Sequence, residues 1–159
     1  GWRRWTWSRQ RPTAARSGDS AVYRKILVGY DGSVAGRKAF DAALELAAKH
    51  GAELYVLSVA RPPEVGDDVE TEAVIENSRQ YHRRMLAELK SSVAARDVKT
   101  HFEVAVGHPA EQIIYDADRH GADLIVVGHR GRSNLARFLL GSVSKQVVQH
   151  AGHPVLVVR

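Results

Sequence analysis

Glycines and serines lie in this chain where their backbone N–H groups and hydroxyls could hold an anion. Near the C-terminal end the sequence reads Gly128-His129-Arg130-Gly131, then nine residues, then Gly141-Ser142-Val143-Ser144. It follows directly on Leu124-Ile125-Val126-Val127, an apolar run of the kind a buried parallel strand shows. A strand therefore ends in a glycine loop, and the loop ends where another helical pattern begins. Glycines let backbone N–H groups approach an anion, and a helix N-terminus adds unpaired donors and the positive end of its dipole. The same residues also serve as plain turn glycines with Ser142 as an N-cap. Far upstream, Asp31 follows the apolar run Lys25 to Tyr30 and precedes Gly32-Ser33. By its position alone it reads as a cap for the helix that follows.

Other spacings carry less. Gly32 to Lys38 is superficially like a P-loop, but only three residues separate its glycines and no Lys-Ser/Thr pair follows. No Gly-x-Gly-x-x-Gly follows a strand. His150 and His153 have ligand-like spacing, but Gly152 breaks the helix between them, so no metal site is expected. Gly107-His108-Pro109 reads as a turn and a helix start.

The elements that position these residues alternate. Strands are predicted over 25–30, 53–59, 98–106, 123–128 and 154–158. Helices are predicted over 33–50, 69–95, 109–120 and from Ser142 to just before Gly152, with a loop over 60–68. Gly51 is a natural helix stop, and Met85, Leu89 and Val93 form one stripe. Strand and helix in alternation give βαβ units, hence an α/β fold with an open, doubly wound parallel sheet and helices on both faces. Asp123, at the start of its strand, is expected at the end of the sheet away from Asp31 and Gly128.

The spacing Gly128-x2-Gly131-x9-Gly141-Ser142 resembles the nucleotide-binding signature of the universal stress protein family in its ATP-binding branch. The segments Lys25 to Ser33, Gly107-His108-Pro109, Ala122 to Gly128 and Pro154 to Val158 resemble the family's other features, in the right order, over 22–159. The resemblance implies strand order 3-2-1-4-5, an adenine nucleotide alpha-hydrolase-like arrangement. Strands one and four are then neighbours whose helices leave to opposite faces, and ligands bind at such a switch point. It implies ATP with Mg²⁺ there, with Gly29 and the backbone of Val59 at the base and Asp31 at the ribose. Gly128, Gly131, Gly141, Ser142, Val143 and Ser144 would face the phosphates. Arg130, where members often carry His, either pairs with the triphosphate or faces water, and His129 is equally open. The resemblance also implies a homodimer through Val155-Leu156-Val157-Val158, an apolar sheet edge of the kind that invites pairing.

Composition bounds the rest. The chain has 159 residues, 44% of them hydrophobic, and no cysteine. That fits one domain with a substantial core, and it excludes disulfides and thiolate metal sites. No apolar run approaches a membrane span. The net charge is +5, but residues 1–20 hold Arg3, Arg4, Arg9, Arg11 and Arg16 against Asp19. That balance of +4 leaves only +1 of the +5 for everything after it, so neither nucleic acid nor membrane is an expected partner. Residues 1–21, which include all three tryptophans, are expected to be a disordered or non-native extension ahead of one domain over 22–159. Phosphoryl transfer needs a metal-holding acid and a positioned nucleophile. Asp31 alone is placed near the crevice, and Asp67 and Asp68 fall on a loop. The expected function is a cytoplasmic ATP-binding regulatory protein with an unidentified protein partner and at most slow hydrolysis. An ATP-consuming enzyme of the same fold is the alternative.

Overall fold

The computed structural model describes residues 22–63, 69–131 and 139–159. The Arg- and Trp-rich extension, part of the 60–68 loop and the middle of the glycine loop lie outside the described residues. The strands are β1 (Lys25–Gly29), β2 (Glu53–Ala60), β3 (Thr100–Val106), β4 (Leu124–Gly128) and β5 (Val155–Val158), and the helices are α1 (Val34–His50), α2 (Val69–Ala87), α3 (Lys90–Ala94), α4 (Pro109–His120) and α5 (Ser142–His150). All pairings are parallel, in the order β3-β2-β1-β4-β5, as expected.

Ile26, Leu27 and Val28 of β1 are buried to within 1% because helices cover both faces of the central strands, which removes any need for alternation. On one face Ile26, Val28, Leu54 and Val126 pack against Ala39, Phe40 and Ala43 of α1 and Met85, Leu86 and Leu89. On the other, Leu27, Leu57, Ile125 and Val127 pack against Ile113 and Ala117 of α4 and Val147 of α5. α1 thus leaves β1 to one face and α5 leaves β4 to the other, while β1 and β4 pair directly, Leu27 opposite Ile125. The switch point lies between them.

Local chemistry sets the ends. Ser33 caps α1, its Oγ accepting from Gly36 N–H at 2.9 Å. Gly51 closes the helix at φ 63°, a left-handed conformation glycine takes without a Cβ penalty. Asp123 does not extend β4; its Oδ2 instead accepts from the N–H groups of Arg24 and Lys25 at 2.7 and 2.9 Å. It ties the start of β1 to the start of β4, at the end of the sheet away from the switch point. The helix expected over 69–95 is divided into α2 and α3. Leu89 N–H bonds Leu86 C=O at 3.0 Å, a tighter i→i+3 turn that keeps Leu89 fully buried while the chain changes course. The last helix corrects a second expectation: Gly141, not Ser142, is the N-cap of α5, and no side chain caps it.

Candidate functional site

At the C-terminal ends of β1 and β4 lies a crevice of about 440 Å³. β1 delivers Gly29 and Asp31 to it, and β2 delivers Val59. β4 and its loop supply Gly128, Arg130 and Gly131, and the start of α5 supplies Gly141, Ser142, Val143 and Ser144. The structure therefore brings Gly29, Asp31, Val59, Arg130 and the residues of the glycine motif to the lining of a single cavity, whereas His129 is not part of that lining.

The glycine loop is clasped onto α5. Gly141 N–H donates to His129 C=O at 2.7 Å, and Ser144 Oγ donates to Gly128 C=O at 2.6 Å. A Cβ on Gly141 would stand 3.2 Å from Cα of Arg130, and one on Gly131 would stand 2.8 Å from Oδ2 of Asp31. Two strands' loops thus meet with backbone in place of side chain. α5 begins beneath them, and with Gly141 as N-cap its first-turn N–H groups have no side-chain acceptor among the described residues. Such uncapped donors at the positive end of a helix dipole favour an anion.

Asp31 is not the cap of α1, since Ser33 holds that place. Its Oδ1 accepts from Ser33 N–H at 2.9 Å and from Ser33 Oγ at 2.5 Å, which fixes the carboxylate facing Gly131. Oδ2 is turned to the loop. Charge in the crevice is mixed, with Arg61 and Arg130 lining it beside Asp31.

Several lining residues escaped sequence reading. Leu57, Pro109, Ile113 and Val127 make an apolar wall, built by β2, β4 and the first turns of α4. The sequence signal for Leu57, Ile113 and Val127 was membership in core-like runs, and for Pro109 a helix start. His82 reaches the crevice from α2, its Nδ1 hydrogen-bonded at 2.6 Å to Ser58 Oγ. Ser58 is fully buried, so that bond settles a hydroxyl that would otherwise cost free energy inside the core. His82 lies 24 positions from Ser58, and no local spacing announces the pair.

A second group of ionisable side chains lies on α4 and β3. Ligand atoms of Glu103, Asp116 and His120 lie within 4.8 Å of one another. Arg119 already fills the centre, 2.6 Å from Glu103 and 3.2 Å from Asp116. Burial pushes the Asp116 carboxyl above its ordinary range, with Arg119 pulling the other way. This is an internal charge network, closed by its own cation.

The sequence of residues 22–159 matches the model of the universal stress protein family. The chain belongs to that family. It is 36% identical over 147 residues to Universal stress protein MJ0531 of Methanocaldococcus jannaschii, covering 91% of this chain and 86% of that one. Among solved structures it resembles universal stress protein UspA from Lactobacillus plantarum, with TM-score 0.79 and 28% identity over 86% of this chain and 98% of that one. It also resembles a universal stress protein crystallised in complex with cAMP, with TM-score 0.69 and 28% identity over 87% of this chain and 98% of that one. In this universal stress protein the crevice occupies the switch point where α/β sheets of this kind bind ligands, and no described helix is long and apolar enough to cross a membrane.

Proposed function

We propose that the crevice binds ATP with Mg²⁺, and that the protein is a cytoplasmic regulatory nucleotide binder acting as a homodimer on an unidentified protein partner. The observation that carries this reading is Gly131 facing Asp31, beside an α5 N-terminus whose first-turn N–H groups have no side-chain acceptor among the described residues. The arrangement offers backbone donors to phosphates at one end and a fixed carboxylate for ribose hydroxyls near them. Leu57, Val59, Ile113 and Val127 offer an apolar slot for the base. The relative solved with cAMP supports an adenine nucleotide as the ligand class.

The residues suit the nucleotide better than they suit a metal cage. Mg²⁺ is usually held by one or two carboxylates, water and substrate phosphates, and Asp31 is the one acid among the described lining residues. Mg²⁺ would therefore travel on the phosphates, with the hydroxyl of Ser142 within the lining as the available protein oxygen. A single carboxylate committed to Ser33 and the ribose leaves no acid–base pair for rapid transfer, so hydrolysis is expected to be slow at most.

Titration calorimetry with ATP, ADP and adenosine tests this. The parent chain is expected to bind ATP, and Gly131→Val and Gly141→Val to abolish the binding while the fold persists by circular dichroism. Undiminished ATP affinity in both variants places the ligand elsewhere. No nucleotide affinity in the parent ends the reading.

A further inference from the structure

Arg130 lines the crevice from the glycine loop, and its side chain is tethered. Its Nε donates to Nε2 of His129 at 3.0 Å. A ring nitrogen that accepts carries no proton, so the neutral imidazole must hold its proton on Nδ1. That Nδ1 is buried and has no hydrogen-bond partner among the described residues. The backbone of His129 is pinned on both sides: its N–H donates to Val158 C=O at 2.8 Å, and its C=O accepts from Gly141 N–H at 2.7 Å. The backbone that carries the ring is thus held between the end of β5 and the start of α5.

We propose that His129 is a positioning residue for the anionic part of the ligand: its neutral imidazole holds the Arg130 guanidinium by Nε, so that the terminal nitrogens are the ones that meet a phosphate. This rests on the nucleotide-binding reading above and deepens it. An arginine is a long, rotamer-rich side chain, and ordering it on binding lowers affinity. A guanidinium held by its Nε before the ligand arrives avoids part of that loss, and its planar fork stays aimed. That Nδ1, buried and without a partner among the described residues, also distinguishes this role from packing. An apolar residue at 129 would fill the space without stranding a donor, so the imidazole is disfavoured here unless its other nitrogen has work to do.

The test is calorimetry on the full chain with two probes, ATP and adenosine. His129→Leu is expected to weaken ATP binding by about tenfold, the size of one hydrogen bond to a charged group, with adenosine affinity and melting temperature unchanged or the latter raised. His129→Gln, whose carbonyl oxygen can accept near the place of Nε2, is expected to recover most of the loss. The double variant His129→Leu/Arg130→Ala should bind ATP no more weakly than Arg130→Ala alone. Unchanged ATP affinity in His129→Leu, equal loss for adenosine, or additive losses in the double variant each overturn the proposal. Should His129→Leu not fold, His129→Phe keeps a ring without an acceptor and decides the matter on the same outcomes. A parent that binds neither probe overturns the nucleotide reading and this inference together. A parent that binds both while His129 variants match it overturns the inference alone.

Discussion

The glycines of the loop do different work, and their neighbours show which. A Cβ on Gly128 would stand 2.7 and 2.8 Å from the backbone carbon and oxygen of Ala35 in α1, a helix that cannot step aside without disturbing the packing of its own Ala39 and Phe40 on the sheet. At Gly131 the nearest atom is a carboxylate oxygen of Asp31, the end of a side chain that can turn. Gly128→Ala is therefore expected to act on the fold. Overpacking of this kind costs about 1–3 kcal/mol, which should lower the melting temperature by about 3–10 °C. Gly131→Ala should leave the melting temperature near the parent's and weaken ligand binding instead. Scanning calorimetry on the two variants checks the contrast; a Gly128→Ala protein that melts like the parent would mean that α1 gives way freely. The spacing of these glycines was legible in the sequence, but their division of labour was not, because Ala35 and Asp31 lie about a hundred positions upstream and only the β1–β4 pairing brings them in.

Among the elements, α4 carries a charge buried at a cost. Asp116 is 4% exposed, and burial raises its carboxyl pKa despite Arg119 at 3.2 Å. The folded chain then holds that proton more tightly than the unfolded chain does. Its contribution to stability is fullest below the ordinary carboxylate range and declines as pH rises through the raised value. Glu53 at the start of β2 runs oppositely: bonds from His101 and Lys99 lower its pKa, so its contribution is present above the ordinary range and fades as pH falls. Asp116→Asn isolates the first effect. The melting temperature of the parent minus that of Asp116→Asn should decrease from about pH 3 to pH 7, whereas a constant difference would mean that Asp116 titrates alike in both states. Strands and helices themselves were legible, to within a residue or two, from apolar runs and from stops such as Gly51. Two features were not. The stripe of Met85, Leu89 and Val93 continues unbroken at helical spacing, so nothing local marked the tight turn at Leu89. Ser142 looked like a cap because serine usually is one at a helix start, and the bond from Gly141 to His129 that shifts the cap by one residue is tertiary.

At the scale of the whole molecule the two sheet edges differ. β3 presents His101 and Glu103 within the strand and Lys99 just before it, and charged side chains at an edge discourage pairing with another chain. β5 is Val155-Leu156-Val157-Val158, joined to β4 on one side, with Leu156 36% exposed. An apolar edge without such protection invites pairing with another chain, and a two-fold contact between identical edges would close on itself. The expected species in solution is accordingly a dimer of about twice the 17.5 kDa chain mass. The choice of variant matters, because Val155 and Val157 pack against the core of α4 and α5, and a charge there would test folding as much as assembly. Leu156 projects to the other face and is the more exposed, so Leu156→Lys is expected to give monomers with little loss of melting temperature. Light scattering at micromolar concentration reads the outcome. A parent mass near 17.5 kDa would sink the dimer, and a Leu156→Lys protein that remains dimeric would move the seam to another surface.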